Sequence, residues 1–172
     1  MKKIVLILSL LTLSVVTYSQ DVKVGKYYVG INYDGVMFNN WSWRNSYYKG
    51  SNQFAFQFEA TIDSSLQSTV INFSTYNLKS KDNNLTKDVL STNLQLMGRT
   101  YLSKRKFWRV YTEGGIVMSD INDKPEVGFV ANFGWNLYSF DILNLYLQAG
   151  FVFQTGEYIY RTVKFGVNFK LD

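Results

Sequence analysis

Residues 53–63 read Gln53-Phe54-Ala55-Phe56-Gln57-Phe58-Glu59-Ala60-Thr61-Ile62-Asp63. Phe54, Phe56, Phe58, Ala60 and Ile62 fall on one side, with Gln53, Gln57, Glu59, Thr61 and Asp63 on the other. A period of two belongs to a pleated strand and not to a helix of 3.6 residues per turn. The same alternation recurs downstream. Leu143, Leu145, Leu147, Ala149, Phe151 and Phe153 oppose Asn144, Tyr146, Gln148, Gly150, Val152 and Gln154, and Val127, Phe129, Ala131, Phe133, Trp135 and Leu137 oppose Gly128, Val130, Asn132, Gly134 and Asn136. Leu90, Thr92, Leu94, Leu96, Gly98 and Leu102 face away from Ser91, Asn93, Gln95, Met97, Arg99 and Tyr101. Trp108, Val110, Thr112, Ile116 and Met118 face away from Arg109, Tyr111 and Glu113, and Val163, Phe165, Val167, Phe169 and Leu171 from Thr162, Lys164, Gly166, Asn168 and Lys170. Tyr27, Val29, Ile31 and Tyr33 mark a further strand, and Ile71 with Phe73 marks one across residues 69–77 whose faces the alternation leaves open. The sequence therefore predicts eight strands.

The connections alternate between long and short. Asp34 to Gly50, Leu78 to Asp88 and Ser119 to Glu126 read as long polar loops; Ser64 to Gln67, Lys104 to Lys106, Ser139 to Ile142 and Thr155-Gly156-Glu157 read as tight turns. An even number of antiparallel strands with long loops at one rim and short turns at the other predicts an all-β, up-and-down, eight-stranded antiparallel transmembrane barrel. A soluble, lipocalin-like binding barrel shares the alternation but hides its apolar face and shows Lys and Glu to water. Here the polar positions are mostly Gln, Asn, Ser, Gly and Tyr, which suits a crowded interior. Bulky Phe and Leu occupy the other face, with Trp108, Trp135, Tyr27 and Tyr33 near strand ends, where interfacial aromatics belong.

The start of the chain points the same way. Met1-Lys2-Lys3 precedes an apolar run from Ile4 to Val16, and Thr17-Tyr18-Ser19 ends it with small residues at alternate positions. This is the layout of a secretory signal peptide, too short in its apolar part for a spanning helix. Residues 1–19 are expected to be removed, leaving residues 20–172 as one outer-membrane barrel domain.

Composition excludes whole classes of chemistry. The 172-residue chain has no Cys and no His, so it lacks a thiol nucleophile, a thiolate metal site and the usual proton shuttle. Lys plus Arg total 18 against 13 Asp plus Glu, and two of the lysines lie in the signal, an excess too mild for a nucleic-acid partner. Aromatic residues reach 17% beside a single Pro, as β structure favours. Asp120, Asn122, Asp123 and Glu126 do not have the spacing of a calcium loop. No catalytic residue, metal site or cofactor is therefore expected, and the protein reads as non-enzymatic.

In its strand pattern, across nearly all of residues 21–172, the chain resembles the small eight-stranded outer-membrane barrels, the OmpA/OmpX-like class in its Bacteroidetes-type form. The resemblance implies a Gram-negative outer membrane, termini in the periplasm, contact with outer-membrane lipid and assembly by the barrel-assembly machinery. Family members commonly end on an aromatic residue, whereas Phe169 here is followed by Lys170-Leu171-Asp172. No shared catalytic residue carries over.

Two residue sets stand out within this frame. Glu59, Arg99, Arg109, Glu113 and Lys164 fall on the inward face, with Lys170 near the end, and are expected to form an ion-pair plug in a lumen too narrow for an open pore. Phe38, Trp41, Trp43, Arg44, Tyr47 and Tyr48, among Asn, Ser and Gly, have the mix of aromatic and adaptable polar side chains used by recognition loops. The sequence thus predicts a monomer with a structural or surface-interaction role, with a surface or envelope protein as a further partner. An accessory subunit of an envelope or secretion complex and a narrow channel are the alternatives.

Overall fold

A computed structural model of the chain describes residues 24–38, 51–62, 66–78, 80, 89–102, 108–121, 124–139, 142–154 and 159–171. The expected cleaved segment, residues 1–19, lies outside them. Eight strands are present: β1 (Val24–Phe38), β2 (Ser51–Ile62), β3 (Gln67–Leu78), β4 (Val89–Tyr101), β5 (Arg109–Ile121), β6 (Lys124–Ser139), β7 (Leu143–Gln154) and β8 (Ile159–Leu171). Each pairs antiparallel with its neighbours in chain order, and β1 pairs with β8 to close the barrel. Closure leaves no sheet edge, which an apolar solvent demands because it offers an unpaired amide no partner.

Sidedness follows the alternation. Phe56 is 60% exposed while its neighbour Gln57 is 3% exposed, and the same inversion runs around the barrel. Tyr27, Val29, Ile31, Phe54, Phe73, Phe129, Phe153 and Phe165 point outward, whereas Asn32, Asn72, Gln95, Gln148 and Asn168 are buried. The strand across residues 69–77, left open by its sequence, takes sides here: Ile71 and Phe73 face out, and Val70, Asn72, Ser74 and Tyr76 face in. This is a protein turned inside out relative to a water-soluble barrel, with a belt of apolar side chains outside and polar groups inside. In water such a belt would cost roughly 25 cal/mol for each Å² left exposed.

Two expected loops prove partly stranded. Asp34 to Phe38, read as loop, continues β1, with Asp34 paired to Gln53 and Lys164, and Phe38 to Tyr160. The stretch from Ser119 to Glu126, read as a long loop, is mostly ladder, with Ser119 opposite Glu126, Asp120 opposite Pro125 and Ile121 opposite Lys124. Only residues 122 and 123 separate β5 from β6. The reason is common to both: ladder hydrogen bonds are made by the backbone and persist through polar side chains. The strands are accordingly long, up to 15 residues in β1 and 16 in β6.

The interior is packed by matching glycine against a large neighbour. Gly134 is paired with Tyr111 and Gly166 with Tyr146, and a Cβ at either glycine would lie 2.3 Å or 2.5 Å from the tyrosine ring. Each missing side chain lets a phenol lie flat across the neighbouring strand. Tyr101, Tyr111 and Tyr146 form a buried cluster with Leu66 packed against it, toward the terminal rim, where β1 begins and β8 ends. At that terminal rim Trp108 enters β5 with φ 51, a left-handed conformation that is costly for a bulky residue, and its indole is 70% exposed.

Candidate functional site

The barrel interior is where side-chain chemistry concentrates. Register places Arg99 of β4 opposite Glu113 of β5 and Ser68 of β3, so the guanidinium projects into the lumen between two carboxylates. Arg99 Nη1 donates to Glu59 Oε2 at 2.6 Å, and Nε donates to Glu113 Oε1 at 2.6 Å, with Nη2 2.5 Å from the same oxygen. The planar fork thus bridges β2 to β5. All three side chains are buried.

Neutral donors complete the carboxylates. Glu59 accepts from Ser68 Oγ at 2.8 Å, Tyr101 OH at 2.8 Å and Asn168 Nδ2 at 3.2 Å, and Glu113 accepts from Asn132 Nδ2 at 3.0 Å. The Arg99 guanidinium also sits 4.2 Å from the Tyr111 ring centroid, and Arg109 sits 3.5 Å from that of Tyr101. Cation–π contact strengthens where water is excluded. The result is a cross-brace that ties β2, β3, β4, β5, β6 and β8 at one level of the lumen.

A second charged group lies nearer the loop rim, the end at which residues 39–50 join β1 to β2. Lys164 Nζ is 3.5 Å from Asp34 Oδ2 and donates to Gln95 Oε1 at 3.0 Å, while Tyr76 OH donates to Asp34 at 2.7 Å. Between the two groups the Asn72 side-chain amide lies 3.2 Å from that of Asn32 and 3.3 Å from that of Gln95. Tyr146 OH donates to Gln57 Oε1 and Tyr111 OH to Gln148 Oε1, each at 3.1 Å. Nearer the loop rim still, Ser119 Oγ hydrogen-bonds Asn93 and Gln154. Polar side chains therefore occupy the lumen along its length.

The structure brings Glu59, Arg99 and Glu113 into one cluster. Lys164 stands apart, partnered by Asp34, and Arg109 lies half-buried over the Tyr101 ring. Lys170 is half-buried near the end of β8. Asp34 and Tyr76 are the residues that sequence reasoning missed. A signal for Asp34 existed: it continues the even-numbered inward set Tyr28, Gly30 and Asn32, and a strand extended past Tyr33 would have claimed it. Of the aromatic set proposed for recognition, Phe38 ends β1, and Trp41, Trp43, Arg44, Tyr47 and Tyr48 lie outside the described residues. Among the described residues no group of three or more acidic side chains is placed to hold a metal ion.

Known structures share this architecture. The outer membrane protein OprG from Pseudomonas aeruginosa superposes with a TM-score of 0.66 at 9% identity, over 87% of this chain and 97% of OprG. Neisserial surface protein A (NspA) superposes with a TM-score of 0.65 at 10% identity, over 86% of this chain and 99% of NspA. The chain has the fold of the small eight-stranded outer-membrane barrels. A third such barrel, the attachment invasion locus protein Ail of Yersinia pestis in complex with the heparin analogue sucrose octasulfate, superposes with a TM-score of 0.52 at 8% identity, over 85% of this chain and 97% of Ail. No protein-family model matches the sequence, and no curated protein matches it. At such identities the small-barrel fold is held by alternation and register, and the Arg99 cross-brace is described from this chain's own residues.

Proposed function

We propose that residues 20–172 form a monomeric, non-enzymatic barrel integral to the outer membrane of a Gram-negative bacterium, with a structural or surface-interaction role. The observation that carries this reading is the inversion of sidedness, an apolar outer belt around a lumen filled by the Arg99 and Lys164 clusters. An eight-stranded barrel leaves an interior that side chains fill, and ion-paired polar groups there disfavour a standing water column. That supports a closed barrel over a narrow channel. In this reading residues 1–19 are a cleaved export signal, the barrel-assembly machinery inserts the mature chain, and both termini face the periplasm. The segment carrying Trp41, Trp43, Arg44, Tyr47 and Tyr48 then meets other molecules outside the cell.

The test is membrane fractionation of cells producing the full chain, followed by electrophoresis with and without boiling. Recovery in the outer-membrane fraction, a mature start near Gln20 and a mobility that shifts on boiling are expected. Recovery as a soluble periplasmic protein would refute the reading and favour a lipocalin-like barrel. A photo-crosslinker at position 41 or 43 then separates a free-standing barrel from an accessory subunit: a stable adduct with one envelope protein favours the subunit.

A further inference from the structure

One part of the outward belt is neither uniformly bulky nor uniformly apolar. On β6 and β7, Ala131 is paired with Phe151, and Phe133 with Ala149, so small and large side chains form a checkerboard. Val163 of β8 lies beside Ala149, and Arg161 beside Phe151. The two alanines leave a groove of about 630 Å³ between the phenylalanine rings. Among the described residues that line it there is no carboxylate.

Arg161 gives this groove a polarity. It occupies an outward position of β8, on the side that carries Val163, Phe165 and Phe169, and its guanidinium lies 5.8 Å from the Phe151 ring centroid. β8 begins at Ile159, so Arg161 lies close to the loop rim. An Arg on a lipid-facing surface costs about 2 to 4 kcal/mol at the bilayer midplane and about 0 to 1 near an interface. At an interface the anions within reach of a side chain are lipid phosphates, whose oxygens match the guanidinium fork.

The floor leads away from the cation in the direction a lipid tail would take. Stepping across paired residues from Arg161 to Phe151, then Ala131, then Gly114 moves toward the terminal rim, because the register of the closed barrel climbs toward the loop rim in chain order. At Gly114 an added Cβ would meet nothing within 4 Å, so the low relief continues past Ala131. A cation below the rim, with the small positions Ala131 and Gly114 descending beyond the Phe151 ring, matches a phosphate joined to an unbranched chain.

We propose that this groove on β6, β7 and β8 binds one phosphate-bearing membrane lipid, with the phosphate on Arg161 and an acyl chain over Ala131 and Ala149. The proposal rests on the reading of the outer face as lipid-facing. It assigns no role to the lumen.

The test is native mass spectrometry of the full-length protein purified in mild detergent and titrated with phosphatidylglycerol, with diacylglycerol of the same chains, and with inorganic phosphate. The wild type is expected to hold one phosphatidylglycerol. Arg161→Gln should weaken that adduct roughly tenfold or more, the scale of losing charge-assisted hydrogen bonds. Arg161→Lys should retain part of it, and Ala149→Phe, which fills the floor and keeps the cation, should abolish it. Boiling-dependent mobility checks that each variant is a closed barrel, and Ala149→Phe and Arg161→Lys carry the test if Arg161→Gln does not fold. Equal phosphatidylglycerol occupancy in the wild type and the closed-barrel variants overturns the proposal, as does equal binding of diacylglycerol. Displacement of the lipid by inorganic phosphate at similar concentration overturns it too, because the site would then recognise the anion alone. Dimers that Ala149→Phe dissolves would assign the groove to a second copy of the chain. A barrel that fractionates with membranes yet fails these criteria overturns this inference and leaves the membrane reading intact, whereas soluble recovery removes both.

Discussion

Replacing Arg99 with Met removes the centre of the luminal cross-brace with little change in length. In the native barrel Arg99 is 1% exposed and contacts Glu59 at 2.6 Å and Glu113 at 2.5 Å and 2.6 Å. After substitution Glu59 keeps Ser68, Tyr101 and Asn168 as donors, and Glu113 keeps Asn132, but two buried carboxylates have lost their cation. Breaking a buried ion pair by removing one partner costs about 3 to 5 kcal/mol, most of it the penalty of the uncompensated charge. That range applies here because Arg99 is in salt-bridge contact with both buried carboxylates. The triple variant Arg99→Met, Glu59→Gln, Glu113→Gln removes every charge of the cluster and should recover most of the loss, since replacing a whole buried ion cluster is often neutral or stabilising. Equilibrium urea unfolding of barrels refolded into lipid vesicles, followed by tryptophan fluorescence, measures both. A loss below about 1 kcal/mol for Arg99→Met, or a triple variant as unstable as the single one, would refute the argument that unpaired charge dominates.

Other perturbations test the remaining layers of the structure. Gly134→Val should lower stability by about 1 to 3 kcal/mol through overpacking against Tyr111, whereas Gly114→Val, outward into open space, should be close to neutral; urea midpoints compare them. Phe56→Arg should cost about 2 to 4 kcal/mol and Gln57→Arg less, and a cysteine at position 56 should take a lipid-dissolved probe and resist a water-soluble one. Labelling of position 57 by the lipid probe instead would mean that β2 is shifted by one residue. Planar-bilayer recordings of the wild type should give little or no steady current, and a large stable single-channel step would contradict a filled lumen.

Much of this architecture is legible along the chain because a strand writes its sidedness into every second residue. Phe54, Phe56 and Phe58 against Gln57 and Glu59 settle the face of β2 without reference to any other strand, and such readings suffice for the number of strands and for most of the inward set, the strand across residues 69–77 excepted. The inside-out character was legible too, since it depends on which residue types fill each face. Strand ends were harder to read. Alternation among polar residues carries little hydrophobic contrast, so the extension of β1 through Asp34 and the ladder from Ser119 to Glu126 left no strong mark.

The information carried along the chain is therefore local: strand identity, the face taken by most side chains, and a lumen that must house Glu59, Arg99, Glu113 and Lys164. Which inward residues meet is a matter of the closed barrel. That depends on register, which is set by how eight tilted strands close on one another. Closure of β1 on β8 brings Asp34 to Lys164, and the offset from β2 to β4 brings Glu59 to Arg99 across 40 residues. The same offsets set Gly134 under Tyr111 and Gly166 under Tyr146, and open the groove beside Arg161. A shift of one residue in any pairing would preserve the composition of every strand and reverse the face it presents to its partners, so the contacts belong to the closed barrel as a whole.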